Sequence, residues 1–332
     1  MTTLPPALPL KPHRRAALLA LGSLALPGSS RAQAKFPDRP ITLLVPFGPG
    51  GIADLTARAV AEQMGKRLGQ PVVVDNRPSA GSIVASQAVA TARPDGHTLL
   101  LMSNGNAVSV GLFKKLPFDL LKDFAPITLL GQFDIGIFAA ANGRFATLKD
   151  VLAHARAQPG KLNIGTITPG STQHLSAKLF ETVAGIDAVV VPYKGSPAVL
   201  GALRAGEIDI AFEVLGPMLP QVAAGVVKAL AVSSDQRNPA LPDVPTVQQA
   251  GVPRYSVASW NALAAPAGTP PEVVARLGQA AREAVASPEV QARLGKLGMR
   301  LQASTPAEMQ ALVASEVRRW GDVIRAARIE AE

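Results

Sequence analysis

Short apolar runs recur along the chain, separated by longer stretches in which apolar positions return every three or four residues. The runs at 41–45, 72–75 and 98–102 have the length and composition of buried strands. Between them, 53–68 places Val60, Met64 and Leu68 on one helical face, and 82–92 reads as a second helix. Such alternation predicts a parallel sheet with helices on both faces. The segment 103–126 reads as irregular, and 127–130 and 135–140 as two further strands, the second crossing into another domain.

A second α/β unit follows. Thr147 to Asp150 has the pattern of a capped helix start, Leu148, Val151, Leu152 and Ala155 form its apolar face, and Pro159-Gly160 ends it. A strand at 162–165 leads to a helix carrying Leu175, Leu179 and Val183 on one side. Further strands are expected at 189–192, 208–212 and 229–232, with Ser196-Pro197 capping a helix that ends near Gly206. After a proline-rich passage, 260–265 reads as a return strand. Three helices then start at Thr269-Pro270-Pro271-Glu272, Ser287-Pro288-Glu289 and Thr305-Pro306-Ala307-Glu308, the first and last with capping-box spacing. These helices need a surface to pack on. The economical layout has two crossings and a ligand cleft between two lobes: 35–135 and 258–332 in one, 136–257 in the other.

Residues 1–34 have the order of an export signal: Lys11, His13, Arg14 and Arg15, then an apolar run at 16–26, then Ala32-Gln33-Ala34 as a cleavage site. The apolar run is too short to span a bilayer. With no cysteine in the chain, lipid anchoring and disulfides are excluded. The expectation is a periplasmic protein freed of its leader. Four of the nine net positive charges belong to that leader, and the rest are scattered without interleaved aromatics, so nucleic acid is not an expected partner. The modest excess of positive charge favours anionic ligands.

The candidate chemistry lies in two glycine turns. Pro46-Phe47-Gly48-Pro49-Gly50-Gly51-Ile52-Ala53-Asp54 follows a strand and opens a helix. Glycines let a ligand approach bare backbone, and first-turn N–H groups with the positive end of the helix dipole attract a carboxylate or phosphate. Thr168-Pro169-Gly170-Ser171-Thr172-Gln173-His174 repeats this arrangement. On this reading the Gly50 and Gly51 amides hold one carboxylate, while Asp54 caps or braces the turn. Ser171 and Thr172 serve as helix cap, ligand donors or both. His174 reads equally as a cross-cleft donor or a buried structural histidine. Tyr193 and Lys194 end a strand, where open α/β sheets place ligands. Trp260 reads as core near the hinge.

Two catalytic alternatives stand against binding. Gly48-Pro49-Gly50-Gly51-Ile52-Ala53 formally fits G-x-G-x-x-G/A, with Asp75 at the end of the next strand, as in an NAD-dependent oxidoreductase. The export signal and the lack of a catalytic pair in the second half argue against it. A serine hydrolase lacks its G-x-S-x-G elbow, and no histidine cluster has metal-ligand spacing. No enzyme activity, cofactor or metal is expected.

Taken together, several segments resemble one family. They are Arg39-Pro40-Ile41, the 46–51 turn with Asp54 and Ala57-Arg58, Asn76-Arg77-Pro78, Pro94-Asp95-Gly96-His97-Thr98-Leu99, Gly170-Ser171 with His174-Leu175, Val191-Pro192-Tyr193-Lys194-Gly195, and Leu241-Pro242-Asp243-Val244-Pro245-Thr246. In this order they resemble the solute-binding proteins of tripartite tricarboxylate transporters, the Bug family, over essentially the whole chain after the leader. The resemblance implies an α/β periplasmic binding protein-like fold of type II, with two lobes joined by two crossing segments. It also implies capture of a small mono-, di- or aromatic carboxylate by a monomer that passes it to membrane permease subunits; a sensing role toward a signalling partner is the variant. The ligand positions it implies are Phe47, Gly48, Gly50, Gly51, Ile52, Ala53, Asp54, Ser79, Ser82, Thr168, Gly170, Ser171, Thr172, His174, Tyr193, Gly195, Ser196 and Glu213. The chain departs from the family pattern at Gly48 (usually proline), at Ile52 and Ala53 (usually hydroxyl residues), at Ser79 and Ser82 (usually glycines) and at Glu213 (usually aspartate). Losing hydroxyls at 52 and 53 removes donors, and the bulk of Ile52 suits a less polar ligand.

Overall fold

The computed structural model describes residues 1–3, 36–169, 171–326 and 329–331. The expected leader, beyond its first three residues, and Gly170 lie outside the described residues. The chain divides into Met1–Phe36 and Pro37–Glu332, and every helix and strand among the described residues falls in the second unit.

The first strands and helices alternate: β1 (Ile41–Val45), α1 (Ile52–Leu68), β2 (Val72–Asn76), a short 3-10 turn (Ala80–Ser82), α2 (Ile83–Ala90), β3 (Thr98–Ser103) and α3 (Asn104–Leu112). β1 pairs in parallel with both β2 and β3. The apolar stripe Val60, Met64 and Leu68 is buried where α1 meets this sheet and the helix α8 (Pro271–Ala286). The long strand β4 (Phe124–Ala140) comes next.

The second series runs α4 (Leu148–Ala157), β5 (Leu162–Ile167), α5 (Thr172–Ala184), β6 (Ala188–Tyr193), α6 (Ser196–Ala205), β7 (Ile210–Val214), α7 (Leu215–Ala223) and β8 (Val227–Val232). β5 pairs in parallel with β6 and β7. The chain closes with β9 (Ala258–Pro266), α8, α9 (Pro288–Gly295), the two-residue β10 (Met299–Arg300) and α10 (Pro306–Ala326). Strand order is β2-β1-β3-β9-β4-β7-β5-β6, with β8 and β10 attached to β4.

β4 joins the two halves. Its residues from Phe124 to Asp134 pair with β9, and those from Ile135 onward pair with β7 and β8. The return passes beside it: Val257 N–H donates to Ser233 O, and Ala258 begins the pairing with Asp134. Two chain segments therefore cross between the halves at one level. The larger core draws on both halves, with Leu44, Leu100 and Met102 from the first and Ile164, Phe180 and Phe212 from the second; a smaller core gathers Phe138, Val199, Leu203 and Leu215.

Three sequence expectations change. The segments 127–130 and 135–140 belong to one strand, interrupted by register shifts near Pro126 and between Leu129 and Gly131. α3 and α7 occupy stretches read as irregular or left unassigned. The capping box at Thr269 does not form: Pro270 precedes the first helical residue, and the Thr269 hydroxyl donates to Pro266 O at 2.7 Å. The Thr305 box does form, with Glu308 accepting from Thr305 N–H at 2.8 Å and returning its own N–H to Thr305 Oγ1 at 3.2 Å.

Candidate functional site

Open α/β sheets place their helix starts at the C-terminal ends of their strands, and here two of those starts begin at glycine. Gly51 precedes α1 and Gly195 precedes α6, so neither helix has a side-chain cap. A methyl group placed on Gly51 would meet nothing within 4 Å, and on Gly195 only Pro197 Cδ at 3.8 Å. Away from this rim, α4, α9 and α10 are closed by Thr147, Ser287 and Thr305, and α8 starts with prolines that have no N–H to satisfy. At α1 this leaves the amides of Gly51, Ile52 and Ala53 without a side-chain cap, the requirement for a carboxylate cradle; at α6 Pro197 has no N–H and the Ala198 and Val199 N–H groups bond to Gly195 O, so the Ser196 amide is the one left in its first turn.

The first loop is braced by Asp54. Its carboxylate, buried, accepts from Gly50 N–H at 2.9 Å, Asn76 Nδ2 at 3.0 Å and Arg58 Nε at 3.0 Å. Asn76 Nδ2 also lies 2.9 Å from Phe47 O. Burial alone would raise the Asp54 pKa; the bonds from Arg58, Gly50 and Asn76 outweigh it and hold the group below its ordinary value. This corrects the expected two-amide grip. The Gly50 amide is spent inside the loop, and its φ of 84° is the left-handed conformation that glycine adopts without strain. Gly51 and the first amides of α1, at Ile52 and Ala53, are the donors left for a ligand. Gly48 sits exposed with open space around it.

Three other elements meet this loop. The Phe47 ring, more than a third exposed, lies with its tip 3.7 Å from where a Gly105 methyl would stand; Ser82 Oγ and Ser103 Oγ lie at 3.6 and 3.4 Å from the same point. Ser82 is buried and holds φ of 60°, unusual for a residue with a side chain. The turn stays put because Ser79 Oγ accepts from Val84 N–H at 3.0 Å and Ser109 Oγ sits 2.7 Å from Gly81 O. The start of α3 is thus part of the site. The clue in the sequence was a polar Ser103-Asn104-Gly105-Asn106 run directly after a strand.

In the second half, Glu213, the last residue but one of β7, lies against Gln173 at the start of α5 and Ser196 at the start of α6. Its Oε2 accepts from Ser196 Oγ at 3.0 Å, Val214 N–H at 3.2 Å and Gln173 Nε2 at 3.5 Å, while Oε1 is buried without a partner among the described residues. Burial with no cation beside it pushes the pKa up to about 7, against the lesser opposing pull of those bonds. Ser196 is accordingly not the cap of α6; it is its first residue, and its hydroxyl anchors Glu213. Ser171 is the cap of α5, accepting from His174 N–H at 3.1 Å, which leaves the amides of Thr172 and Gln173 at that helix end. Thr168 is exposed at the mouth of the loop. The His174 ring is half-buried, with Nδ1 unpartnered among the described residues; burial, helped by Lys178, lowers its pKa, so the ring is neutral at pH 7. Tyr193 packs at the edge of the smaller core, and Lys194 is exposed.

The starts of α3 and α5 touch through Asn104, whose Nδ2 donates to Thr172 Oγ1 at 3.1 Å. Trp260 is buried in the core, as its hinge-side position suggested. Asp75, the residue that would read a dinucleotide ribose, is engaged by Arg77 at 2.9 Å. Among the described residues, no three His, Cys, Asp or Glu converge as a metal site, and no helix is long and apolar enough to cross a membrane.

Residues 56–329 match the model of the tripartite tricarboxylate transporter family receptor. The chain belongs to this family. Bordetella pertussis protein BugT is 32% identical over 309 residues, spanning 92% of this chain and 94% of its own. Among solved structures, an R. palustris protein with adipate superposes with a TM-score of 0.81 at 32% identity, covering 90% of this chain and all of that one. MatC of Rhodopseudomonas palustris with bound malate superposes with a TM-score of 0.77 at 35% identity, covering 87% of this chain and all of the other. Members of the receptor family are solute-binding proteins of the periplasmic binding-protein fold, and this chain shares that fold.

Proposed function

We propose that this chain is a periplasmic receptor that closes two lobes, 35–135 with 258–332 and 136–257, around a small organic carboxylate and presents it to the permease of a tripartite tricarboxylate transporter. The lead observation is the uncapped, glycine-started α1 in one half, whose Gly51, Ile52 and Ala53 amides are left open, with the Thr172 and Gln173 amides of α5 and the Ser196 amide of α6 in the other. The relatives solved with adipate and malate support a dicarboxylate of four to six carbons as the first class to test. One carboxylate sits on Gly51, Ile52 and Ala53, with Phe47 and Ile52 against the apolar body of the ligand. Its far end meets Thr172, Gln173 and the start of α6 at Gly195 and Ser196. Gly48, Gly50, Asp54, Ser79 and Glu213 shape the cleft, Ser82, Thr168 and Ser171 offer hydroxyls, and His174 and Tyr193 border it. The leader at 1–34 takes the chain to the periplasm, where it acts as a monomer without cofactor.

The test is a melting screen of mono-, di- and aromatic carboxylates, followed by calorimetry on whichever binds. Gly51 has φ of −79°, open to any residue, so Gly51→Leu blocks the cradle without straining the loop. Since each charge-assisted bond contributes roughly 1.5–3 kcal/mol, affinity should fall at least about tenfold. Unchanged affinity would remove the first cradle from the mechanism.

A further inference from the structure

We propose that Asn104 latches the two lobes together before any ligand arrives, through its bond to Thr172, and so sets how much of the free receptor stands closed. Trp320 on α10 donates its indole N–H to Asn104 Oδ1 at 2.7 Å and to Glu316 Oε2 at 2.9 Å. An indole N–H only donates, so the amide oxygen of Asn104 must face it and the NH2 group must face the other way. There it meets Thr172 Oγ1 at 3.1 Å, and that hydroxyl lies 3.4 Å from Ser259 Oγ on the return strand β9. Asn104, Thr172 and Trp320 are all buried.

The latch joins parts that must separate for the cleft to open. Asn104 is the first residue of α3 and Thr172 the first of α5, one in each lobe and both at the rim. The C-terminal helix fixes it from behind: Arg319 bonds Ser256 O in the segment that crosses between lobes, pairs with Glu316 at 3.2 Å and lies over the Trp320 ring. Opening the cleft breaks the Asn104–Thr172 bond and leaves a buried amide to find water. Asn104 is therefore a positioning residue, acting on affinity through the closed population. Losing a bond of this kind shifts the open–closed balance by about two- to tenfold, and apparent affinity falls with the closed fraction.

The inference rests on the two-lobe reading, but its test reads the latch without a ligand. The chain has no cysteine, so Val84→Cys on α2 and Val189→Cys on β6, both exposed positions, accept a dye pair that reports lobe separation by energy transfer. Thr172→Val keeps the shape of the side chain and removes the acceptor; Thr172→Ser keeps the acceptor. Without ligand, transfer should drop in Thr172→Val and stay at the wild-type level in Thr172→Ser. Calorimetry with adipate and malate should show Asn104→Ala, at a residue outside the proposed ligand contacts, about two- to tenfold weaker than the wild type. Asn104→Ala breaks the same bond from the other lobe and must reproduce the drop; it serves alone if Thr172→Val does not fold. Equal transfer in the wild type and the latch-broken variants overturns the latch. Failure of both carboxylates to bind, with the drop in transfer intact, counts against dicarboxylate capture and leaves the latch standing.

Discussion

Glu213 carries a consequence that separates it from its neighbours. A carboxylate on the first loop, Asp54, is held charged by Arg58, whereas Glu213 has hydroxyl, amide and backbone donors but no cation among its contacts. Burial therefore dominates, and the acid keeps its proton up to about pH 7. Between its ordinary value near 4.5 and about 7, the native chain holds a proton that the unfolded chain has released, so stability falls as pH rises through that window and levels off above it. The full effect is about 3 kcal/mol, since each pH unit of that window is worth about 1.4 kcal/mol. Glu213→Gln keeps an oxygen for Ser196 and removes the titration. Urea denaturation at pH 4.5 and pH 8 should show wild type losing about 3 kcal/mol more than the variant across the interval. An equal change in both would mean that Glu213 is ionised in the folded chain at neutral pH.

At the scale of elements, Gly136 shows how tightly the crossing strand is packed. It sits in β4 opposite Glu213 of β7 and Val232 of β8, and a methyl there would stand 2.5 Å from Cζ and 2.6 Å from Cε2 of the buried Phe138. Gly136→Ala should cost about 1–3 kcal/mol by forcing that ring from its place, read as a lower urea midpoint at unchanged slope. The alternation of strands and helices was legible because Val60, Met64 and Leu68, or Leu148, Val151 and Leu152, repeat with the period of the face they bury. β4 was not legible as one strand, because Pro126 and Gly131 interrupt its pattern where the register shifts. α3 opens with Asn104-Gly105-Asn106, poor helix formers, and holds because Asn106 Oδ1 accepts from Ser103 N–H at 2.8 Å and the helix packs on α10. α7 contains Pro220. The glycine turns could be found from sequence. What the Gly50 amide does could not, since its partner is a side chain that serves two other bonds as well. Nor could Asn104, whose partners Thr172 and Trp320 lie 68 and 216 residues away.

Over the whole molecule, the two lobes proposed above share more than a hinge. β4 gives one end to each sheet, the larger core draws side chains from both, and α10 touches α3, α5 and β4 together. Domains that unfold separately are joined by linkers across which few apolar contacts run; here the apolar contacts of the larger core are continuous between the halves. Losing one half exposes the other half's share of that core, so neither should persist alone. The free receptor should therefore unfold in one transition, with a van't Hoff enthalpy equal to the calorimetric one. A bound carboxylate should move that transition upward as a unit, with a stabilisation of about 2.7 kcal/mol when the ligand stands at a hundred times its dissociation constant. Scanning calorimetry with and without adipate distinguishes the cases. Two resolved transitions, with only one of them responding to ligand, would mean that the lobes fold independently and that the shared core contributes little to holding them together.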